Sequence, residues 1–387
     1  MAPAILTLNA GSSSLKFALY KDAEEAVLRG LVEGIGQTPR VSLTTSRMRR
    51  LDPPDLAGGS YEAVLDILLQ WLNAQLDDDV IGAVGHRIVH GGRRFADPVR
   101  IDAAVLAELT ALSPLAPLHQ PHNLAAIRAV ARTQPALPQV GCFDTAFHRT
   151  MPAVATRLAL PRALGDAEMI RYGFHGLSYE FIAGRLHQVA PALARGRVIV
   201  AHLGNGASLC AMRDGRSIET TMGFSTLDGL VMGTRPGGLD AGAVLYLMQS
   251  RGMTAEAVED LLYHRSGLLG VSGISGDMRE LAASTRPEAR EAIELFTYRI
   301  AGEVGRLAAA LGGLDGLVFT AGIGEHDAAL RAGVCRRLAW LGVMPDPTAN
   351  AGGHGRISTA ASPIEVWIVP TDEEAVIARH TRAVVAA

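Results

Sequence analysis

The sequence predicts an α/β protein built as two similar halves. Three observations carry that expectation. Strand-like apolar runs alternate with amphipathic helix-like runs along all 387 residues, the pattern that layers helices on sheets. The stretches "ILTLNAGSSSLKFAL" and "RVIVAHLGNGASLCAM" each set a small-residue turn between two apolar strands, with Asn9-Ala10-Gly11-Ser12 matching Asn205-Gly206-Ala207-Ser208. Hydrophobic residues make up 48% and charged residues 19% of the chain, which suits more than one ordered core. A cleft between the halves is where a ligand is expected.

Taken in order, "ILTLNAGSSSLKFALYKDAEEAVLRGLVEGI" gives two or three short strands joined by tight turns. Apolar residues at helical spacing make "YEAVLDILLQWLNAQL" a helix, and "VIGAVGHRIVHGG" returns to a strand. A helix, a Pro-rich loop and a second helix follow in "VLAELTALSPLAPLHQPHNLAAIRAVART", then a buried strand and loop in "QVGCFDTAF". The Pro-punctuated "MPAVATRLALPRALG" is a linker or flap opening the second half. There the strand–turn–strand device repeats and ends in a hairpin turn at Arg213-Asp214-Gly215. Asp277 and Glu280 are spaced as a capping box for "MRELAAS", and the stretch from Pro287 to the glycines after Leu311 is one long helix. "GLVFTAGIGEHDAALRAG" predicts strand, glycine turn, helix; "IEVWIVPTDEEAVIARHTRAVV" predicts a strand stopped by Pro370 and a helix capped by Thr371 with Glu374.

Composition narrows the function classes. A net charge of −3 and no basic run with interleaved aromatics argue against a nucleic-acid partner. The N-terminus lacks a signal-peptide pattern and no apolar run spans a bilayer, so no membrane association and a cytoplasmic location are expected. Cys142, Cys210 and Cys335 lie far apart without a C-x-x-C, as expected for reduced packing thiols.

Three glycine-containing turns follow apolar strands, at Asn9–Ser14, Gly204–Ser208 and Gly322–Glu325. Small residues let backbone N–H groups approach an anion and serines add donors, so the set points to a nucleotide phosphate. The first is no P-loop, because a strand and not a helix follows it, and "GNGASL" does not complete a dinucleotide fingerprint. Arginine and histidine recur in glycine-rich loops: His86, Arg87 and His90; Arg171 and His175; Arg235 with Asp240. A guanidinium takes phosphoryl or carboxylate oxygens bidentately and an imidazole can donate to another oxygen, which is what phosphoryl transfer uses. Asp144 or Glu373 could bind Mg2+ or orient an arginine, and one Glu with one Asn such as Asn9 would suffice beside nucleotide phosphates. His86/His90 and His119/His122 do not form a zinc motif, and no G-x-S-x-G elbow is present.

The ordered set "LTLNAGSSSLKF", "GHRIVHGG", "FDTAFH", "RYGFHGLS", "HLGNGAS", "MGFSTLDGLVMGTR", "SGDMREL", "FTAGIGE" and "PTDEEAVIA" resembles the acetate kinases over nearly the whole chain. The resemblance implies two duplicated ribonuclease-H-like domains of the actin/Hsp70/sugar kinase type around a nucleotide cleft. It implies a first domain over 1–150 completed by the C-terminal helix 371–387, and a second over 151–370 holding the nucleotide site and the interface of a homodimer. It further implies reversible ATP-dependent phosphorylation of acetate to acetyl phosphate, with ATP/ADP as co-substrate and Mg2+ or Mn2+ held by Asn9 and Glu373. Ser12, Ser14 and Lys16 would face the transferred phosphate; Arg87 and Arg235 would clamp carboxylate and phosphoryl group. His175 would stabilise the equatorial oxygens, with Asp144 orienting this set or serving as an acid. His202, Leu203, Gly204, Asn205, Gly206, Asp277, Met278, Arg279, Gly322, Ile323, Gly324, Glu325 and His326 would line the nucleotide. Val89, Leu118, Phe174 and Thr226 would form the pocket for the acetate methyl. The chain departs from the family's usual residues at Thr226 (proline), Gln120 and His122 (Asn and Ala), Pro236 and Gly238 (Ser and Asp) and His326 (Asn). Thr226 motivates propionate or another short carboxylate as an alternative acceptor. A nucleotide-dependent switch ATPase on the same fold is the alternative of another class.

Overall fold

The computed structural model describes residues 3–11, 13–21, 25–45, 51–56, 60–75, 80–165 and 169–387. Two compact units divide the chain: Met1–Phe147 with Asp372–Ala387, and His148–Thr371.

In the first unit the strands are β1 (Ala4–Ala10), β2 (Ser14–Tyr20), β3 (Ala26–Glu33), β4 (Arg40–Thr45), β5 (Ile81–Ile88), β6 (Val99–Arg100) and β7 (Gln139–Phe143), in sheet order β4-β3-β2-β1-β5-β7-β6. β1 to β4 form an antiparallel meander; β5 and β7 join parallel to β1, and β6 closes the edge antiparallel. Alternation along β1 and β2 sends Leu6, Leu8, Leu15, Phe17 and Leu19 to one face. There they meet Val64, Leu65, Leu68 and Leu72 of helix Tyr61–Ala74. Burying each such side chain contributes about 1.5–3 kcal/mol. On the opposite face Ile5, Ala18, Tyr20 and Ala83 pack against Ala378 of helix Glu373–Ala386.

The second unit repeats this topology. Its strands are β8 (Arg197–Leu203), β9 (Ala207–Arg213), β10 (Arg216–Thr220), β11 (Gly316–Thr320), β12 (Gly355–Arg356) and β13 (Glu365–Ile368), in order β10-β9-β8-β11-β13-β12. An antiparallel β8-β9-β10 meander, parallel β11 and β13 and an antiparallel edge β12 match β1-β2-β3, β5, β7 and β6 strand for strand. The duplication expected from the two small-residue turns is therefore present, with β4 as the added strand. Asp214 and Gly215, at φ 52 and 68, make the two-residue turn of the β9–β10 hairpin. Helix Pro287–Leu311 buries Phe296, Ile300, Val304 and Leu307 against β8 to β10 and ends at Gly312 in the left-handed region.

Three local expectations are corrected. The segment after β11 is not a glycine turn but helix Ala321–His326, because the Glu325 carboxylate reaches back to accept the Ala321 N–H at 2.8 Å and satisfies its first turn. The C-terminal helix is capped by Asp372, which accepts the Ala375 N–H at 3.0 Å, one residue later than Thr371. Asp277 caps Met278–Ala283 through the Arg279 N–H, while its own N–H donates to Ser275 Oγ, so the reciprocal half of the box is taken over by a serine.

Candidate functional site

In the first unit the β1–β2 hairpin pairs Asn9 with Lys16 and Ala10 with Leu15, and the Gly11 N–H closes the turn on the Ser14 carbonyl at 2.8 Å. Ser12 lies outside the described residues. Lys16 is exposed and lines a cavity of about 280 Å3 with Arg29, Ser42, Thr44 and Glu374. β5 runs parallel to β1 and delivers Arg87 near its end. From there Nη1 donates to Asn9 Oδ1 at 3.1 Å, and Nε and Nη2 donate to Asp144 Oδ2 at 3.0 and 2.5 Å. Glu373, in the first turn of the C-terminal helix, places Oε2 3.8 Å from Arg87 Nε. One guanidinium thus gathers Asn9, Asp144 and Glu373. Burial opposes the Arg87 charge, yet Asp144 and then Glu373 outweigh it and raise its pKa. The Asn9 and Glu373 oxygens are the hard donors a Mg2+ ion takes beside phosphate.

Val89 is buried and Leu118 half-buried in this unit. Gln120 is buried: its Oε1 accepts the His90 N–H at 3.3 Å and its Nε2 donates to the His90 and Leu109 carbonyls at 3.2 Å. An amide here therefore pins the "IVHGG" loop at both its donor and its acceptor.

In the second unit the equivalent β8–β9 hairpin closes with the Gly204 N–H on the Gly206 carbonyl at 3.1 Å. His175, in left-handed backbone at φ 60, precedes helix Gly176–Val189. Its Nδ1 lies 2.8 Å from Ser208 Oγ, and its ring stacks on His202 at 4.2 Å between centroids. His202 is held in turn by Ser178 Oγ at 2.8 Å from Nδ1. Gly206 keeps this space open: a Cβ there would sit 2.9 Å from Arg235 Nη2 and 3.3 Å from His175 Nε2. The Gly233 N–H donates to the Asn205 carbonyl at 3.0 Å and locks the loop of Arg235 to the hairpin. Arg235 itself donates to the Thr226 carbonyl at 2.9 Å, and among the described residues it forms no ion pair with a carboxylate. Burial lowers its pKa to about 10, with Tyr263 pulling the other way.

The structure therefore brings His175, His202, Gly206 and Arg235 together, with Leu203, Gly204 and Asn205 on the same hairpin. Asp277 and Arg279 pair with each other beside buried Met278. Gly322, Ile323, Gly324, Glu325 and His326 form the short helix after β11, where Glu325 Oε1 also accepts the Thr371 N–H at 3.1 Å. Phe174 and Thr226 are buried in this unit, and the Phe174 carbonyl accepts from His148 Nε2 at 2.9 Å. The sequence marked Ser208 only as part of the Gly204–Ser208 turn, and gave no sign of the parts played by Tyr179 and Arg331. Arg331 is fully buried and donates to the Gly324 and Glu325 carbonyls and to Asn350, fixing the end of that short helix.

The profile of the Acetokinase family matches residues 4–379. An acetate kinase of Rhodopseudomonas palustris is 55% identical over 98% of each chain, and one of Rhizobium meliloti is 50% identical over 99% of each. Among solved structures, a propionate kinase from Francisella tularensis superposes with a TM-score of 0.91 at 38% identity, covering 99% of this chain and 100% of the other. The acetate kinase of Porphyromonas gingivalis gives 0.84 at 35% identity over 99% and 100%.

Proposed function

The chain belongs to the acetokinase family, and from that premise we propose that it transfers the γ-phosphoryl group of ATP to the carboxylate of acetate, reversibly. The observation that carries the reading is the convergence of Arg235, His175 and Gly206, a desolvated cation and an imidazole aimed at one point. An acetate oxygen attacks the γ-phosphorus in line, the bond to the β,γ-bridging oxygen breaks, and ADP leaves with that electron pair. No covalent enzyme intermediate is needed.

Arg235 neutralises charge on the phosphoryl oxygens while His175 donates a hydrogen bond to one of them. Arg87, fixed by Asp144, orients the carboxylate; Lys16, Ser12 and Ser14 supply donors at the first phosphate loop. The acetate methyl falls to Val89, Leu118, Phe174 and Thr226. His202, Leu203, Gly204, Asn205, Gly206, Asp277, Met278, Arg279 and residues 322–326 serve the nucleotide. Asn9 and Glu373 would hold Mg2+, which when bound neutralises phosphate charge. A homodimer is supported by helix Ala241–Gln249, which buries none of its residues while Leu239, Leu245, Tyr246 and Met248 stand exposed around it. The domain division of the resemblance, 1–150 with 371–387 and 151–370, is retained as part of this reading. A cytoplasmic setting is supported by Cys142, Cys210 and Cys335, all three buried as thiols.

Propionate or another short acid is a second reading, favoured by Thr226, because one methylene alters discrimination by only about 1–3 kcal/mol. The test is hydroxylamine trapping of acyl phosphate with Mg-ATP and acetate, propionate, butyrate or no acid. Acid-dependent hydroxamate is expected, strongest with acetate. ATP hydrolysis without acyl phosphate would overturn the kinase reading in favour of a switch ATPase.

A further inference from the structure

We propose that Tyr179 and Ser208 are positioning residues that fix the tautomer of His175, forcing its proton onto Nε2. The proposal rests on the reading of His175 as a donor to the phosphoryl group. Tyr179 and Ser208 are both fully buried, on helix Gly176–Val189 and on β9. Tyr179 Oη lies 2.5 Å from Ser208 Oγ, and Ser208 Oγ lies 2.8 Å from His175 Nδ1. The three groups form a chain that reaches the His175 ring, whose Nε2 lies beside Gly206 together with Arg235 Nη2.

Donor and acceptor chemistry leaves one consistent direction for that chain. A guanidinium only donates, so a group held by Arg235 and His175 together has to accept from both. Nε2 therefore carries the proton, and in neutral imidazole Nδ1 then accepts. Ser208 must donate its only hydrogen to Nδ1, which leaves its oxygen to accept from the Tyr179 hydroxyl. A phenol in this position supplies a hydrogen that the serine cannot spare. With phenylalanine at 179 nothing holds the serine in that rotation, Nδ1–H can donate to Ser208 Oγ instead, and Nε2 turns a lone pair toward the anion. Second-partner control of which imidazole nitrogen is protonated is the general way this choice is made.

The experiment uses full-length protein uniformly labelled with 15N-histidine, with His175 assigned by difference from His175→Ala, and turnover measured by the hydroxamate assay. The parent should show a protonated, pyrrole-type Nε2 and a pyridine-type Nδ1 for His175, and Tyr179→Phe should shift that pattern toward the other tautomer. Tyr179→Phe should lower kcat about tenfold, or about 1.4 kcal/mol, with KM for acetate and ATP within about twofold. In the His175→Ala background the same change should cost nothing further, because the effect runs through the imidazole. The proposal is overturned if parent His175 is protonated on Nδ1 or on both nitrogens. It is equally overturned if Tyr179→Phe leaves the 15N pattern unchanged, or slows the His175→Ala enzyme as much as the parent. The spectrum is read without turnover. Absence of acyl phosphate would therefore count against the kinase reading alone.

Discussion

Gly206→Ala should damage catalysis while sparing the fold. The new Cβ would stand 2.9 Å from Arg235 Nη2 and 3.3 Å from His175 Nε2. Ordinary contact needs about 3.5 Å, so the guanidinium has to retreat by about 0.6 Å. A displacement of about 1 Å at a reacting centre can cost about a hundredfold, which makes a ten- to thirtyfold fall in kcat the expected result, about 1.4–2 kcal/mol. The backbone offers no objection, since Gly206 is not among the glycines in left-handed conformation. Alanine also narrows the unfolded ensemble by about 0.4–1 kcal/mol, which offsets the crowding. Hydroxamate formation at saturating acetate and Mg-ATP reads the rate and calorimetry reads Tm. Gly184→Ala is the control, a helical site where a Cβ meets nothing within 4 Å. A Gly206→Ala enzyme that turns over like the parent would refute the argument that Arg235 and His175 meet at this glycine.

The other expectations follow from charge and burial. Arg87→Ala strips the guanidinium from the buried Asp144 carboxylate and should cost about 3–5 kcal/mol of stability; adding Asp144→Asn should restore Tm but not turnover, and failure to restore it would sink the pairing argument. Arg235→Ala removes a cation without a carboxylate partner, so denaturant titration should show little loss of stability although kcat falls by about 10²–10³. Burial lowers His86, His90 and His148 to about 4, beneath the unfolded value of about 6.5. The unfolded chain then binds more protons between those limits, so stability is full above about pH 6.5 and falls toward pH 4 by up to about 1.4 kcal/mol per unit for each histidine. Urea midpoints that stay level from pH 7 to 5, or a His86→Gln slope no shallower than the parent's, would contradict this. Arg331→Met should cost on the order of 3 kcal/mol by orphaning the Gly324 and Glu325 carbonyls, visible as a lower Tm.

The repeated strand–turn–strand device was legible because it is local: apolar alternation around small residues marks β1–β2 and β8–β9 wherever they occur. β4, β6 and β12 escaped notice for the opposite reason. They are edge strands, two of them only two residues long, and their existence depends on the neighbour they pair with. The helix at Ala321–His326 was hidden by Gly322 and Gly324, whose propensity argues for a turn until the Glu325 carboxylate is seen closing the first turn. Residue types around the candidate site were visible, but their wiring was not. Tyr179 and Ser208 are 29 positions apart, and Gln120 and His90 are 30 apart. Nothing in either stretch names the other.

Arg87 and Arg235 carry the same group, and their surroundings give them different work. Asp144 already cancels the charge of Arg87, so that guanidinium offers fixed N–H directions and little net attraction. Arg235 is desolvated without a carboxylate, and burial has moved it from 12.5 to about 10. An arriving anion recovers that cost, whereas a neutral ligand does not. Lysine could not take over, even with its charge in the same place. Burial of this kind leaves arginine protonated at neutral pH but carries a lysine, ordinarily at about 10.4, down toward the working range. Arg235→Lys should therefore keep part of its activity near pH 7 and lose it as pH rises, at a pH well below the ordinary lysine value, while the parent shows no such fall. The measurement is the ratio of variant to parent kcat from pH 6.5 to 9.5. A ratio that stays constant would mean that Arg235 is not desolvated in the working enzyme, and that its role is geometric like that of Arg87.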